Sequence, residues 1–195
     1  MKLDLVHDIQ VSFRKLLNSM SYPGKINSLP NSVKTEFDLI TFDSTYALMY
    51  MLLDAEVTFH ICSNESKEVS KFIRQVTNSK EDTIDKADYI FVLNDCTSEE
   101  VDEAIELAKV GTLINPHKSA TIILEVKNLS NEKLYRLNGP GIKNFYYFGY
   151  ANVSNLINIR NKKNEEYPMG IDLIFLDDKS NIMSIPRTTR IEKVN

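Results

Sequence analysis

Hydrophobic positions in the chain follow helical spacing in some segments and form short continuous runs in others. Apolar residues at intervals of three and four predict a helix over residues 8–20, with Phe13, Leu16 and Leu17 on its inner face. Further helices are predicted over residues 46–54, 64–76, 97–110 and 152–163. Residues 43–45 can cap the second of these five helices, and Thr97 can cap the fourth.

Short apolar runs predict the strands. Those over residues 57–61, 89–93 and 120–126 alternate with helices, which indicates right-handed crossovers and a parallel sheet. Later strands, over residues 134–137, 143–148, 171–176 and 182–185, are expected to pair antiparallel at one side of that sheet. The predicted fold is therefore α/β, a three-layer α/β/α sandwich with a mixed sheet, in a single domain spanning residues 1–195.

The last two predicted strands form a hairpin that carries most of the candidate binding residues. Asp172 interrupts an apolar strand, and Pro186 ends the next one because proline has no N–H to donate. Asp172 either faces solvent or pairs with a buried arginine, Arg187 or Arg14. Pairing is favoured, since an unpaired carboxylate in a sheet core is costly. The candidate residues for binding or for an interface are Arg14, Asp172, Arg187, Thr188 and Thr189.

Composition and charge narrow the class of protein. The chain has 195 residues, 43% of them hydrophobic, with a net charge of −4. A nucleic-acid binder would show a basic surface instead, and no apolar run approaches the ~18 residues of a membrane span. The first residues include acids and lack a long apolar core, so we expect no signal peptide and a cytoplasmic location. Cys62 and Cys96 are expected to be reduced thiols.

The sequence lacks the common motifs of cofactor and nucleotide chemistry. It contains no phosphate-binding Gly-rich loop, no dinucleotide fingerprint and no nucleophile elbow. Three scattered histidines do not form a metal motif. We therefore expect no metal, no cofactor and no catalytic residue, and the role of the loop around His117 stays open.

Several blocks spread over the chain share their order and spacing with one known family. They lie at residues 12–17 (SFRKLL), 20–24 (MSYPG), 52–54 (LLD), 111–124, 137–142 (LNGPGI), 168–174 (PMGIDLI) and 185–189 (IPRTT). In these blocks the chain resembles the PhnH family, the H subunit of bacterial carbon–phosphorus lyase. The chain departs from the family pattern at residues 115–119, where the family more often has an acid and a glycine after the proline.

The resemblance implies a fold like the large domain of pyridoxal-phosphate-dependent transferases, without the cofactor site. It also implies assembly with the G, I and J subunits, and a homodimer when the subunit is isolated. That core, with a further L subunit, couples an alkylphosphonate to the ribose of ATP and yields ribose 1-phosphonate 5-triphosphate. No catalytic residue of the family carries over to this chain.

Three functions fit the sequence. The first is a non-catalytic subunit of that phosphonate-processing complex. The second is a stand-alone pyridoxal-phosphate enzyme, for which Lys127 and Lys143 are only generic aldimine candidates. The third is a module that binds phosphate or phosphonate through Arg187, Thr188 and Thr189, since arginine and hydroxyl groups suit such an oxyanion.

Overall fold

A computed structural model describes residues 7–30, 40–150 and 155–194. Within these residues the predicted helices and strands occur in the predicted order, and strands at residues 80–81 and 190–193 are present that were not predicted. The helices are α1 (His7–Ser21), α2 (Asp43–Leu52), α3 (Ser66–Thr77), α4 (Ser98–Leu107) and α5 (Leu156–Lys163). The strands are β1 (Asn27–Ser28), β2 (Thr58–Cys62), β3 (Lys80–Glu81), β4 (Tyr89–Val92), β5 (Thr121–Val126), β6 (Leu129–Asn138), β7 (Tyr146–Tyr150), β8 (Asp172–Asp177), β9 (Asn181–Ile185) and β10 (Arg190–Lys193).

Seven strands form a mixed sheet in the order β1-β9-β8-β5-β4-β2-β3. The five strands from β8 to β3 are parallel to one another. On the other side of β8, β9 pairs antiparallel with β8, and β1 pairs antiparallel with β9. The central strands are apolar on both faces, as expected for strands that are covered on both sides. The predicted α/β class and mixed sheet are confirmed. The strand predicted over residues 171–176 was expected among the antiparallel strands, but it is β8, which pairs parallel with β5.

The prediction for the strands between residues 129 and 150 was wrong. They do not extend the main sheet but form a separate three-stranded antiparallel sheet in the order β10-β6-β7. Leu137, Phe148 and Ile191 are buried from this small sheet, while its other positions are mostly exposed. The small sheet therefore packs over one face of the main sheet and does not extend its edge.

Two apolar clusters lie on the two faces of the main sheet. Helices α1, α2 and α3 cover one face, through residues such as Leu16, Leu48 and Ile73. Helices α4 and α5 and the small sheet cover the other face, through residues such as Ile105, Ile157 and Leu137. The layer on this second face is thus part helix and part sheet. The likeness to the pyridoxal-phosphate transferases stays a prediction.

The ends and faces of three helices differ from the prediction. Residues 43–45 lie inside the first turn of α2, which follows Phe42, so they do not cap it. Helix α4 begins with the predicted cap, in which Thr97 and Glu100 bond each other's backbone N–H, but it ends at Leu107. In α1, Ser12, Leu16 and Ser19 are buried, whereas Phe13 and Leu17 are 43% and 51% exposed.

The described helices are all too short or too polar to cross a membrane. The first part of the predicted helix over residues 152–163 lies outside the described residues, and α5 is its remainder.

Candidate functional site

Asp172 and Arg187 form an ion pair at the end of the predicted hairpin. Asp172 begins β8 and Arg187 follows β9, and antiparallel pairing of Leu173 with Ile185 brings the two together. Arg187 Nη2 lies 2.5 Å from Asp172 Oδ2, and the backbone N–H of Arg187 donates to Asp172 Oδ1 at 2.6 Å. Their side chains are only 19% and 12% exposed. The predicted pairing of Asp172 with a buried arginine is confirmed, and the partner is Arg187.

Arg187 also ties the hairpin to the loop that precedes β5. Its Nη1 donates to the carbonyl oxygen of Pro116 at 2.5 Å, and its Nε lies 3.4 Å from Asp172 Oδ1. The guanidinium therefore holds three segments together: the start of β8, the end of β9 and the loop around Pro116. Charge-assisted hydrogen bonds with this planar, bidentate geometry are strong and directional.

A second arginine, Arg160 of α5, lies under the same segment. It is 1% exposed and donates to three neutral oxygens. Nη1 bonds the carbonyl of Thr189 at 2.7 Å and the side-chain oxygen of Asn161 at 3.1 Å, and Nη2 bonds the carbonyl of Pro186 at 2.8 Å. Burial lowers the pKa of the Arg160 guanidinium to about 10, and the charge of Asp172 partly offsets that effect.

Arg160 and Arg187 line a cleft of about 600 Å³, which lies between α5 and residues 186–192. Thr188 is partly exposed there and Arg190 is exposed, while Thr189 is buried. The hydroxyl of Thr189 and the Nε of Arg160 have no hydrogen-bond partner within the described part of the chain. The full lining comprises Pro140, Arg160, Asn161, Asn164, Glu165, Tyr167, Met169, Arg187, Thr188, Thr189, Arg190, Ile191 and Glu192.

Three of the five candidate residues from the sequence line this cleft: Arg187, Thr188 and Thr189. Asp172 lies directly behind them, through its bonds to Arg187. Arg14 is exposed on α1, outside the lining, and the alternative pairing of Arg14 with Asp172 was wrong. The lysines considered for an aldimine, Lys127 and Lys143, are exposed and are not part of the lining either.

Sequence reasoning missed Arg160, although a signal was present. Leu156 and Ile157 are buried in α5, and Arg160 follows them at four and three residues, the spacing of one helical face. A basic residue on the inner face of a helix is a candidate buried charge. Most other residues of α5 are polar, so the spacing of apolar residues did not identify this inner face.

Glu125 occupies the carboxyl end of β5, where open α/β sheets usually bind their ligands. Its buried carboxylate accepts four hydrogen bonds. The donors are the Thr41 hydroxyl and the Phe42 N–H, both at 2.8 Å, and the Asn94 N–H and side-chain amide, at 3.1 and 2.7 Å. This carboxylate holds the start of α2 against the sheet, and its oxygens are fully used.

The thiols and histidines do not build a reactive centre. The Cys96 thiol donates to the carbonyl of Cys62 at 2.9 Å, and burial raises the pKa of both thiols to about 12. Both are free and stay protonated at neutral pH. Across residues 7–30, 40–150 and 155–194, we find no cluster of three histidine, cysteine or acidic side chains that could hold a metal ion.

Comparison with known proteins places the chain in one family of phosphonate metabolism. Residues 3–192 match the family described as "Bacterial phosphonate metabolism protein (PhnH)", so the chain belongs to the PhnH family. A relative from Stutzerimonas stutzeri, "Putative C-P lyase subunit protein HtxG", is 26% identical over 186 residues, covering 93% of this chain and 85% of that protein.

A second relative comes from Rhizobium meliloti (strain 1021). It is named "Alpha-D-ribose 1-methylphosphonate 5-triphosphate synthase subunit PhnH". It is 24% identical over 191 residues, covering 97% of this chain and 93% of that protein. The family resemblance read from the sequence blocks is therefore confirmed over nearly the whole chain.

Proposed function

We propose that this chain is a non-catalytic subunit of the carbon–phosphorus lyase core complex, assembled with G, I and J subunits in the cytoplasm. In that complex it supports the formation of ribose 1-phosphonate 5-triphosphate from ATP and an alkylphosphonate. The family match over residues 3–192 supports this proposal, as do two relatives named as subunits, which align along most of their own length.

The observation that carries the proposal is the arrangement around Arg187. This side chain fixes the loop around Pro116 against the hairpin through buried, charge-assisted bonds. In the same loop, Leu113 and Ile114 are 69% and 88% exposed. The two side chains form a small exposed apolar patch, and exposed apolar patches are common at protein-binding sites. We assign to this loop, residues 112–118, a contact with a partner subunit, or with a second copy when the chain is isolated.

Co-expression with the G, I and J subunits of the same host tests the proposal. Wild-type chain is expected to co-purify with them through a tag on this chain alone. Arg187→Ala is expected to lose most of the complex, because the loop is released, while Arg136→Ala, which removes an exposed ion pair to Glu192, is expected to keep it.

A second variant separates a lost interface from a lost fold. Leu113→Ser with Ile114→Ser alters only exposed side chains, so the isolated chain keeps its circular dichroism and its melting temperature. We expect this double variant to lose the complex as Arg187→Ala does. Failure of the wild-type chain to co-purify would overturn the proposal, and an intact complex with the double variant would exclude this loop as the contact. Size-exclusion chromatography of the isolated chain tests the homodimer.

A further inference from the structure

We propose that the cleft above Arg160 binds the phosphoryl group of a phosphonate or a phosphate ester. The inference goes beyond the subunit role and does not rest on it, because it concerns a site that this chain builds from its own residues. The groups that carry it are Arg160, Thr188, Thr189 and Arg190, all in the cleft lining.

The buried charge of Arg160 has no anionic group in contact with it among the described residues. Its three hydrogen-bond acceptors are neutral oxygens, and within the described residues it makes no ion pair. Asp172, the carboxylate that acts on it electrostatically, is already bonded to Arg187. A buried cation without a contacting counter-charge is unfavourable, and an anion in the cleft would provide one.

Two buried polar atoms at the cleft lack hydrogen-bond partners among the described residues. Buried polar atoms in proteins almost always have a partner, so orphaned ones call for an explanation. The Nε of Arg160 and the hydroxyl of Thr189 are two buried atoms without a partner in the described part of the chain, and both residues line this one cleft. Both atoms lie beneath the cleft surface. An incoming anion therefore meets Thr188 and Arg190 first, since these two are open to the cleft.

The acidic residues of the lining do not cancel this charge. Glu192 of the lining pairs with Arg136 at 2.5 Å, and Asp172, which lies behind the lining, offsets Arg187. What is left around the cleft is Arg160 and Arg190 against Glu165, an exposed side chain. The balance is positive, which favours an anionic ligand.

The size of the cleft and its donors define the class of ligand. A volume of about 600 Å³ is within the range of small-molecule sites and exceeds what a phosphoryl group alone needs. Arginine guanidinium and hydroxyl donors match the tetrahedral oxygens of a phosphoryl dianion. The remaining room suits an organic substituent, as in an alkylphosphonate or a nucleotide.

Isothermal titration calorimetry on the purified chain tests the proposal, with methylphosphonate, inorganic phosphate, ATP and acetate as probes. We expect heat of binding with at least one of the three phosphoryl compounds and a weaker signal with planar acetate. Binding of methylphosphonate and phosphate alike would identify the phosphoryl group as sufficient, whereas binding of ATP alone would identify a nucleotide phosphate as the ligand.

Two conservative variants and one control locate the binding. Arg190→Ala removes an exposed cation, and Thr188→Val removes a partly exposed hydroxyl, so both are expected to fold. Each should weaken binding about tenfold, the loss of one charge-assisted hydrogen bond, while Arg136→Ala should change it by less than about twofold. The proposal is overturned if no phosphoryl compound binds, if acetate binds as well as methylphosphonate, or if both cleft variants bind like wild type. None of these results affects co-purification with the partner subunits.

Discussion

Two buried charges, Glu125 of strand β5 and Arg160 of helix α5, differ in how fully they are hydrogen-bonded. Glu125 lies near the carboxyl end of β5 and accepts four hydrogen bonds from the segment before α2 and from Asn94. Arg160 lies near the end where β8 begins, bonds three neutral oxygens and keeps one N–H without a described partner. The carboxylate is saturated, and the guanidinium is not.

The contrast shows where this fold can take a ligand. Open α/β sheets usually bind small molecules at the carboxyl ends of their parallel strands. In this chain the residues around Glu125 at that end are used to hold α2, so the carboxylate has no oxygen left for a ligand. Near the start of β8, Arg160 keeps a charge without a contacting counter-charge, and Arg160 Nε and the Thr189 hydroxyl keep no described hydrogen-bond partner. The position of unsatisfied groups, rather than the general rule for the fold, points to the site.

Breaking the ion pair behind the cleft should have the largest effect on stability. Asp172→Ala leaves Arg187 mostly buried without its counter-charge, which is expected to cost about 3–5 kcal/mol of unfolding free energy. Urea denaturation followed by circular dichroism measures this loss. Glu192→Ala is the matched control, because its pair with Arg136 is exposed, and it should cost less than about 1 kcal/mol. Equal losses in the two variants would show that Asp172 is not a structural anchor.

Removing the saturated carboxylate should have the next largest effect. Glu125→Ala leaves four donors without their acceptor, and the expected loss is about 2–3 kcal/mol, measured in the same urea titration. Glu132→Ala removes a carboxylate from an exposed position and is expected to be nearly neutral. A Glu125→Ala variant as stable as wild type would mean that these donors find water or other partners, and the contrast with Arg160 would fail.

The smallest predicted effect has the opposite sign. Thr189→Val removes a buried hydroxyl that has no partner among the described residues, so stability should stay level or rise by up to about 1 kcal/mol. Thr58→Val is the matched control, because the Thr58 hydroxyl lies 3.0 Å from Asp88 Oδ2 and the Asp88 N–H donates to it at 3.2 Å. That control should lose about 1 kcal/mol. Equal losses for the two variants would reveal a hidden partner of Thr189.

The sequence predicted that Asp172 pairs with an arginine, Arg187 or Arg14, but it did not predict the cleft around that pair. An acid inside an apolar strand, followed by proline and arginine after the next strand, is a local pattern that neighbouring strands bring together. Two of the three acceptors of Arg160 are backbone oxygens 26 and 29 residues away in the chain, and a backbone acceptor leaves no trace in the types of side chain along the sequence. Strand β10 was missed for a similar reason, since Ile191 is its one apolar residue. Its position depends on pairing with β6, which is a tertiary contact.

A crystal structure of the chain with methylphosphonate tests the central claim most directly, because it distinguishes the two ends of the sheet. We expect a phosphoryl group in the cleft, within hydrogen-bonding distance of Arg190 and Thr188, and no ligand around Glu125 and Asn94. A phosphoryl group bound at the carboxyl ends of the parallel strands, or a cleft that stays empty at a saturating concentration, would contradict it.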